Sequence, residues 1–480
     1  MSSFLSIIRP KIREPGERRH LRTVALVILL AMVSAGIAST WGLPDGMSRQ
    51  TTSSWAVDTI APLGPLNEAK HGFTRAGIDD VIYPLFHYVV LAGAYAPYIG
   101  VQWLTGEFQN PSGDYPYGAQ SPERFFKHLT WIAGIVSTIM FGGILIAVYL
   151  TALELFDRRA ALWATILAAL IPPLSFYGAT SNLDVPYLFW TMLAIWQLVR
   201  AARTGRFVAF VLCGVFASLA TATKDQAVGF FLALPVVVPW LLAQRRARDG
   251  ASTRLVDVLT DRRAIGAACA ALLTFALANN LLFGGWDGFT RHLGFADTFY
   301  AANIATKEVP LIARQPQILL ENAALLIEMV GIPLLLLAAL GFWHARRERI
   351  GCAWLIVVPS LTYYVFILAP TNSISRYLLG IALLLAPFAG LAVARALETA
   401  ARVRKAVVLP VAAMACIWQG SLLYNLHLSL RHDSRYAMAD WVRTHVPPGA
   451  VIESATQARY LPRLADRYRY AIVGNSFDAI

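Results

Sequence analysis

Charge is scarce in this chain. Only 15% of its 480 residues are Asp, Glu, Lys or Arg, against 57% hydrophobic residues and a positive mean hydropathy. Soluble domains carry about a quarter charged residues, so this shortage excludes an ordinary soluble domain and implies a multi-pass membrane protein. Cysteine is scarce too. Cys213, Cys269, Cys352 and Cys416 all sit in apolar runs without metal-ligand spacing, and read as small hydrophobes packed inside helices. There is no internal repeat and no low-complexity tract. A net charge of +12 would suit nucleic acid, but the basic residues fall in short clusters between apolar runs, where they set membrane orientation. Nucleic-acid binding is set aside on that ground.

What the chain has in quantity is apolar runs of spanning length, about 20 residues each. They lie near 21–41, 127–152, 159–178, 185–201, 206–223, 226–243, 264–283, 317–342, 350–369, 376–396 and 405–425. The first follows Arg9, Lys11, Arg13, Arg18, Arg19 and Arg22, and reads as an uncleaved anchor rather than a signal peptide. A further run, 83–105, is long enough to cross but carries His87, Pro97 and several tyrosines.

Charge decides its placement. If 83–105 stays on one side, then Arg158-Arg159, Arg200 to Arg206, Arg245 to Arg263, Arg346 to Arg349 and Arg395 to Lys405 all join the basic N-terminus in the cytoplasm. If it crosses, every one of those clusters moves outside. The run is therefore expected to be an interfacial or re-entrant element in a large first outer loop, 42–126. About eleven transmembrane helices follow, with the N-terminus cytoplasmic and the C-terminus outside. This arrangement places Asp58, Asp79, Asp80, Asp184, Lys224, Arg291, Lys307 and Arg376 on the outer face. The outer loop 284–316 is polar and long enough to be functional, and the basic inner loop 244–263 suits anionic lipid headgroups. After residue 425 the chain turns soluble in character, with helical spacing over Asp433 to Val446 and a candidate strand at Ala450 to Glu453.

Four short stretches face the same side: Ser54-Trp55-Ala56-Val57-Asp58-Thr59, Tyr83-Pro84-Leu85-Phe86-His87-Tyr88, Asn182-Leu183-Asp184-Val185-Pro186 and Ser375-Arg376-Tyr377. In that order they resemble the lipid-carrier-dependent GT-C glycosyltransferases, the class of the protein O-mannosyltransferases and the lipid A aminoarabinose transferase. The resemblance spans most of the chain. It implies an all-α polytopic membrane domain over 1–425 and an outer-face tail over 426–480, read as the remnant of a truncated α/β domain. It further implies transfer of a sugar, with inversion, from a polyprenyl-phosphate carrier to a lipid, glycan or protein acceptor outside a bacterial inner membrane.

A phosphate leaving group needs no proton to depart, so such a transfer requires one general base and a cation near the phosphate. Asp58 matches the family's first acidic position and is the candidate base; a loop aspartate that merely caps a helix is the alternative. Members carry an acidic pair there. Thr59 replaces the second acid here, which weakens any divalent-metal role because a hydroxyl is a poor ligand for a hard cation. Asp184 resembles the second acidic residue, with a helix-cap role beside it. Lys224 and Arg376 match phosphate-binding positions, and Arg291 is a weaker third. For Lys224 the alternative to phosphate binding is neutralisation by the adjacent Asp225 in a structural ion pair. Asp79 and Asp80 are a rival acidic pair or an N-cap, while Tyr83, His87 and His292 form a second tier. Two other classes remain open. A transporter or flippase of lipid-linked saccharide would show paired broken helices and half-to-half symmetry, which are not seen. A non-catalytic envelope-assembly protein would use the same scaffold.

Overall fold

The computed structural model describes residues 15–70, 83–305, 311–348, 351–370, 374–464 and 466–472. Apolar runs become helices here because a helix satisfies its own backbone hydrogen bonds, which lipid cannot do. Helix α1 covers Pro15–Ala38. The loop after it holds two helices, α2 over Leu63–Lys70 and α3 over Phe86–Leu104. Next come α4 over Pro122–Leu155, α5 over Arg158–Ala169 and α6 over Pro172–Ala179. Helix α7 spans Asp184–Thr204 and α8 spans Phe207–Thr221. The chain continues through α9 (Leu234–Arg248), α10 (Leu255–Leu259), α11 (Arg262–Ala278) and α12 (Trp286–Ala305). Helices α13 (Leu311–Arg347), α14 (Trp354–Tyr363), α15 (Leu379–Glu398) and α16 (Arg402–Arg431) complete the membrane part.

The local signals explain several boundaries. Asp157 caps α5, its carboxylate accepting the backbone N–H groups of Arg159 and Ala160 at 2.9 Å each. Gly205 ends α7 in the left-handed region, with φ 63°. Pro172 and Pro173 bring no amide hydrogens, so α5 stops before them and α6 starts afresh. The expected span 159–178 is therefore bent by 67° between α5 and α6.

Helices stand at all eleven expected spans. Seven of those among the described residues are long and apolar enough to cross a membrane, or eight if the bent α5–α6 pair is one span. Helices α7, α8 and α11 lie at expected spans but outside that set; α3, in the first loop where no span is expected, is outside it too. The chain is an all-α polytopic membrane protein.

Helix α15 is the hub, packed on α5 and α13. Two glycines permit the approach. A Cβ on Gly390 would stand 2.3 Å from the Ala160 carbonyl oxygen, and one on Gly341 would stand 1.7 Å from that of Phe388. Helices α4, α7, α8 and α11 pack in sequence around this centre. A second apolar cluster joins the first loop to α4, with Ile60, Leu91 and Tyr95 against Phe125, Phe126 and Leu129.

One end of the helix assembly is tied by ion pairs among the predicted basic clusters. Arg158 meets Glu17 at 2.6 Å, and Arg395 reaches Asp157 at 2.9 Å and Glu348 at 2.8 Å. The N-terminal helix and three of the expected inner loops thus share an end, as the charge alternation requires. The cysteines conform less well. Cys213 is buried, but Cys269 is exposed on α11, so it packs inside no core.

The tail folds as α17 (Ser434–His445) with two parallel strands, β1 (Val451–Ser454) and β2 (Arg469–Ile472). Its own small core contains Ala439, Val442, Leu464 and Tyr468.

Candidate active site

Four of the predicted site residues come together from four distant segments. The loop after α1 brings Asp58, the start of α7 brings Asp184, the turn after α8 brings Lys224, and the turn before α15 brings Arg376. They form two carboxylate–cation pairs of different character.

The first pair is deeply buried. Lys224 Nζ lies 2.7 Å from Asp184 Oδ1, and the two side chains are only 5% and 2% exposed. Asn182 completes the arrangement: its Nδ2 donates to Asp184 Oδ2 at 3.0 Å, and its Oδ1 accepts the Asp184 backbone N–H at 2.8 Å. The rings of Tyr187 and Tyr377 each sit 5.4 Å from the ammonium, a favourable placement for a cation over π faces. Of the two alternatives for Lys224, neutralisation by its neighbour Asp225 does not occur. Lys224 is extended, with φ −155° and ψ 126°, and successive side chains of an extended backbone point apart. Asp225 instead pairs with buried His292, whose Nε2 lies 2.9 Å from Oδ2.

The second pair is open. Arg376 Nη1 contacts Asp58 Oδ2, and the Asp58 side chain is 39% exposed. That exposure separates the two acids: a substrate can reach Asp58, whereas Asp184 is sealed behind Lys224. Asp58 also adopts φ 56°, a left-handed conformation that aspartate and asparagine tolerate better than most residues. Arg376 lies over the Tyr377 ring at 5.4 Å, and its buried Nε has no hydrogen-bond partner among the described residues. An unpaired, buried guanidinium N–H is costly unless something occupies it.

Tyr83 stands beside this cluster. Burial first, and then the Asp58 carboxylate, hold its hydroxyl well above the usual phenol range, so it stays protonated near neutral pH. The Tyr83-Pro84 element is fastened to the Lys224 turn, because Phe86 N–H donates to the Ala222 carbonyl at 3.2 Å. His87 is fully buried in α3, and neither ring nitrogen has a hydrogen-bond partner among the described residues. Burial pushes its imidazole down to about 3, which leaves it neutral and unsuited to acid–base work at pH 7. Arg291 is exposed on α12 and its Nε donates to the Asp287 carbonyl at 3.3 Å. Asp79, Asp80 and Lys307 lie outside the described residues.

Thr59 turns inward and accepts a hydrogen bond from Ser54 Oγ at 3.1 Å. Among the described residues no group of three or more His, Cys, Asp or Glu side chains is placed to hold a metal ion. Asp58 and Asp184 each face a protein cation instead. That donor set does not fit a divalent ion. A cavity of about 570 Å³ opens elsewhere, between α1 and α16, lined by Ser34, Trp41, His427 and Tyr436. It includes none of the candidate residues.

Sequence reasoning missed Asn182 as the orienting partner of Asp184 and the tyrosines 177, 187 and 377. Asn182 was visible in principle, since an Asn two residues before a helix-start Asp is placed to accept its amide. Tyr177, at the end of α6, faces Arg376, a proximity that depends on the bend before Pro172.

Comparison with known proteins agrees with this architecture. The model of the dolichyl-phosphate-mannose-protein mannosyltransferase family matches residues 123–260, from α4 to α10. No curated protein matches by sequence. Among solved structures, ArnT from Cupriavidus metallidurans bound to undecaprenyl phosphate has a TM-score of 0.54 at 14% identity, covering 94% of this chain and 86% of that one. The archaeal oligosaccharyltransferase AglB from Archaeoglobus fulgidus, in complex with an inhibitory peptide and a dolichol-phosphate, has a TM-score of 0.50 at 15% identity. That match covers 94% of this chain and 64% of AglB.

Proposed function

We propose that this chain, which carries the GT-C fold, transfers a sugar from a polyprenyl-phosphate carrier to an acceptor at the outer face of the membrane. The observation that carries the reading is the meeting of Asp58, Asp184, Lys224 and Arg376 from four separate segments at one site. ArnT and AglB, which share the fold, have been captured with undecaprenyl phosphate and dolichol-phosphate, and this supports a carrier of the same chemistry.

In this reading Asp58 is the general base. The acceptor's nucleophilic atom attacks the sugar C1 as its proton passes to the Asp58 carboxylate. The C1–O bond to phosphate breaks with its electron pair leaving on the phosphate oxygen, so the anomeric centre inverts. Polyprenyl phosphate departs unprotonated, and its charge is met by Arg376, with Lys224 behind it. The unpartnered Nε of Arg376 is a donor for one phosphate oxygen. As the phosphate draws the guanidinium, Asp58 is released from its ion pair and is free to take the acceptor's proton. Asp184, held by Asn182, keeps Lys224 in place. The basic clusters tied to the N-terminal helix support a cytoplasmic position for that end by the positive-inside rule, and in this reading the site faces outward.

The experiment is transfer of radiolabelled sugar from a panel of synthetic polyprenyl-phosphate sugars to membrane acceptors. Label should move with the wild type and fall sharply with Arg376→Gln. Equal transfer by both proteins would rule Arg376 out of phosphate binding.

A further inference from the structure

The segment from Trp41 to Asp58 carries the candidate base, yet much of its anchoring comes from the far end of the chain. Arg463 reaches three of its carbonyl oxygens. Nε donates to Leu43 at 3.0 Å, and Nη2 donates to Gly42 at 3.1 Å and to Ser53 at 2.8 Å. Trp55 is 2% exposed, and its indole N–H donates to the Leu461 carbonyl at 2.9 Å. Trp41 donates to Asp433 at 3.0 Å, and the Tyr436 hydroxyl accepts the Gly42 N–H at 3.0 Å. Arg435 lies 4.1 Å above the Trp55 ring, its own plane fixed by a two-point contact with Asp433. Gly42 makes the packing possible, because a Cβ there would fall 2.7 Å from that of Trp55.

Downstream of Trp55 a second anchor follows. Ile60 N–H donates to the Ser181 carbonyl at 2.7 Å, one residue before the Asn182 that orients Asp184. Asp58 thus hangs between two fixed points only five residues apart, in a backbone conformation that a free loop would rarely hold. Burial pushes the Arg463 guanidinium down to about 10, so it remains charged at neutral pH and keeps its donors.

We infer that the soluble tail is a clamp that sets the position of Asp58, with Arg463 and Trp55 as its positioning residues; the catalytic part of this inference rests on the glycosyl-transfer reading. A general base works only within hydrogen-bond reach of the proton it takes, and a misplacement of about 1 Å costs about 10²-fold in rate. Arginine is required because one planar fork serves three carbonyls, which a lysine ammonium on a flexible stem cannot match.

The test joins hydrogen exchange with kinetics on the full chain in lipid vesicles. Arg463→Gln and Trp55→Phe should speed amide exchange over residues 42–60 by about tenfold or more while the membrane helices keep their protection. They should lower kcat by about 10–10²-fold and change KM by less than about threefold, since Asp58 is displaced and the donor's phosphate contacts are not. Arg463→Lys should recover part of both effects. Arg467→Gln, in the same tail but with a side chain whose described contact is an ion pair with Asp466, should leave both unchanged. Unchanged exchange over 42–60, faster exchange with full kcat, or a loss of protection spread evenly over the helices would each overturn the clamp. The exchange arm needs no sugar donor. A chain that transfers nothing therefore overturns the glycosyl-transfer reading separately from the clamp's structural arm.

Discussion

Removing one member of the Asp184–Lys224 pair should destabilise the protein more than removing both. At 2.7 Å the attraction is about 6 kcal/mol at an effective dielectric constant of 20, and burying two ions costs several kcal/mol each. The pair is therefore close to balanced, whereas either ion alone keeps its desolvation cost and loses its compensation. Lys224→Met leaves a carboxylate that is 2% exposed with Asn182 as its remaining side-chain donor and only the Arg376 guanidinium, already paired with Asp58, as a nearby cation; Asp184→Asn strands an ammonium that is 5% exposed. Each single change should cost about 3–5 kcal/mol, and the double change should lie within about 2 kcal/mol of the wild type. Denaturant titration of the detergent-solubilised protein, run as a double-mutant cycle, measures the difference. Additive losses in the double variant would show that the two charges are solvated independently, and would remove Asp184 as the group that holds Lys224 in place.

Three further outcomes follow from the packing and the charges. Gly341→Ala puts a methyl group 1.7 Å from the Phe388 carbonyl oxygen, so α13 and α15 must separate; a loss of about 1–3 kcal/mol is expected in thermal unfolding. Gly42→Ala places its methyl against Trp55 at a φ of 61°, and should speed exchange of the loop amides and lower transfer together. Arg376→Lys keeps the charge but loses the planar fork, and should reduce transfer by about 10²-fold at saturating donor, read as initial rate.

The membrane helices were legible because spanning length and charge alternation are one-dimensional signals. Asp184, Lys224 and Arg376 stood out as candidates because they are ionisable residues at the ends of apolar runs, where charge is expensive without a role, and Asp58 stood out only through its likeness to the family's first-loop acid. Their pairing was not legible. Asp225 adjoins Lys224 in sequence, but extended backbone sends the two side chains apart, and Asp184, forty positions away, takes the ammonium. The bend between α5 and α6 was written in Pro172 and Pro173, yet a continuous hydropathy run hides it. The hydrogen bonds between the tail and residues 42–55 cross 394 to 421 positions, and carbonyl acceptors leave no side-chain trace in a sequence.

Sugar transfer by Asp58→Asn at matched expression separates a general base from a mere counter-ion. Asparagine tolerates the left-handed backbone at φ 56°, so the substitution removes the base and leaves the loop in place. Unchanged hydrogen exchange over residues 42–60 verifies that. With the base gone, kcat should fall by about 10²–10⁴-fold, the range for losing a general base. Transfer at the wild-type rate would contradict that role and make Asp58 a counter-ion for Arg376 alone.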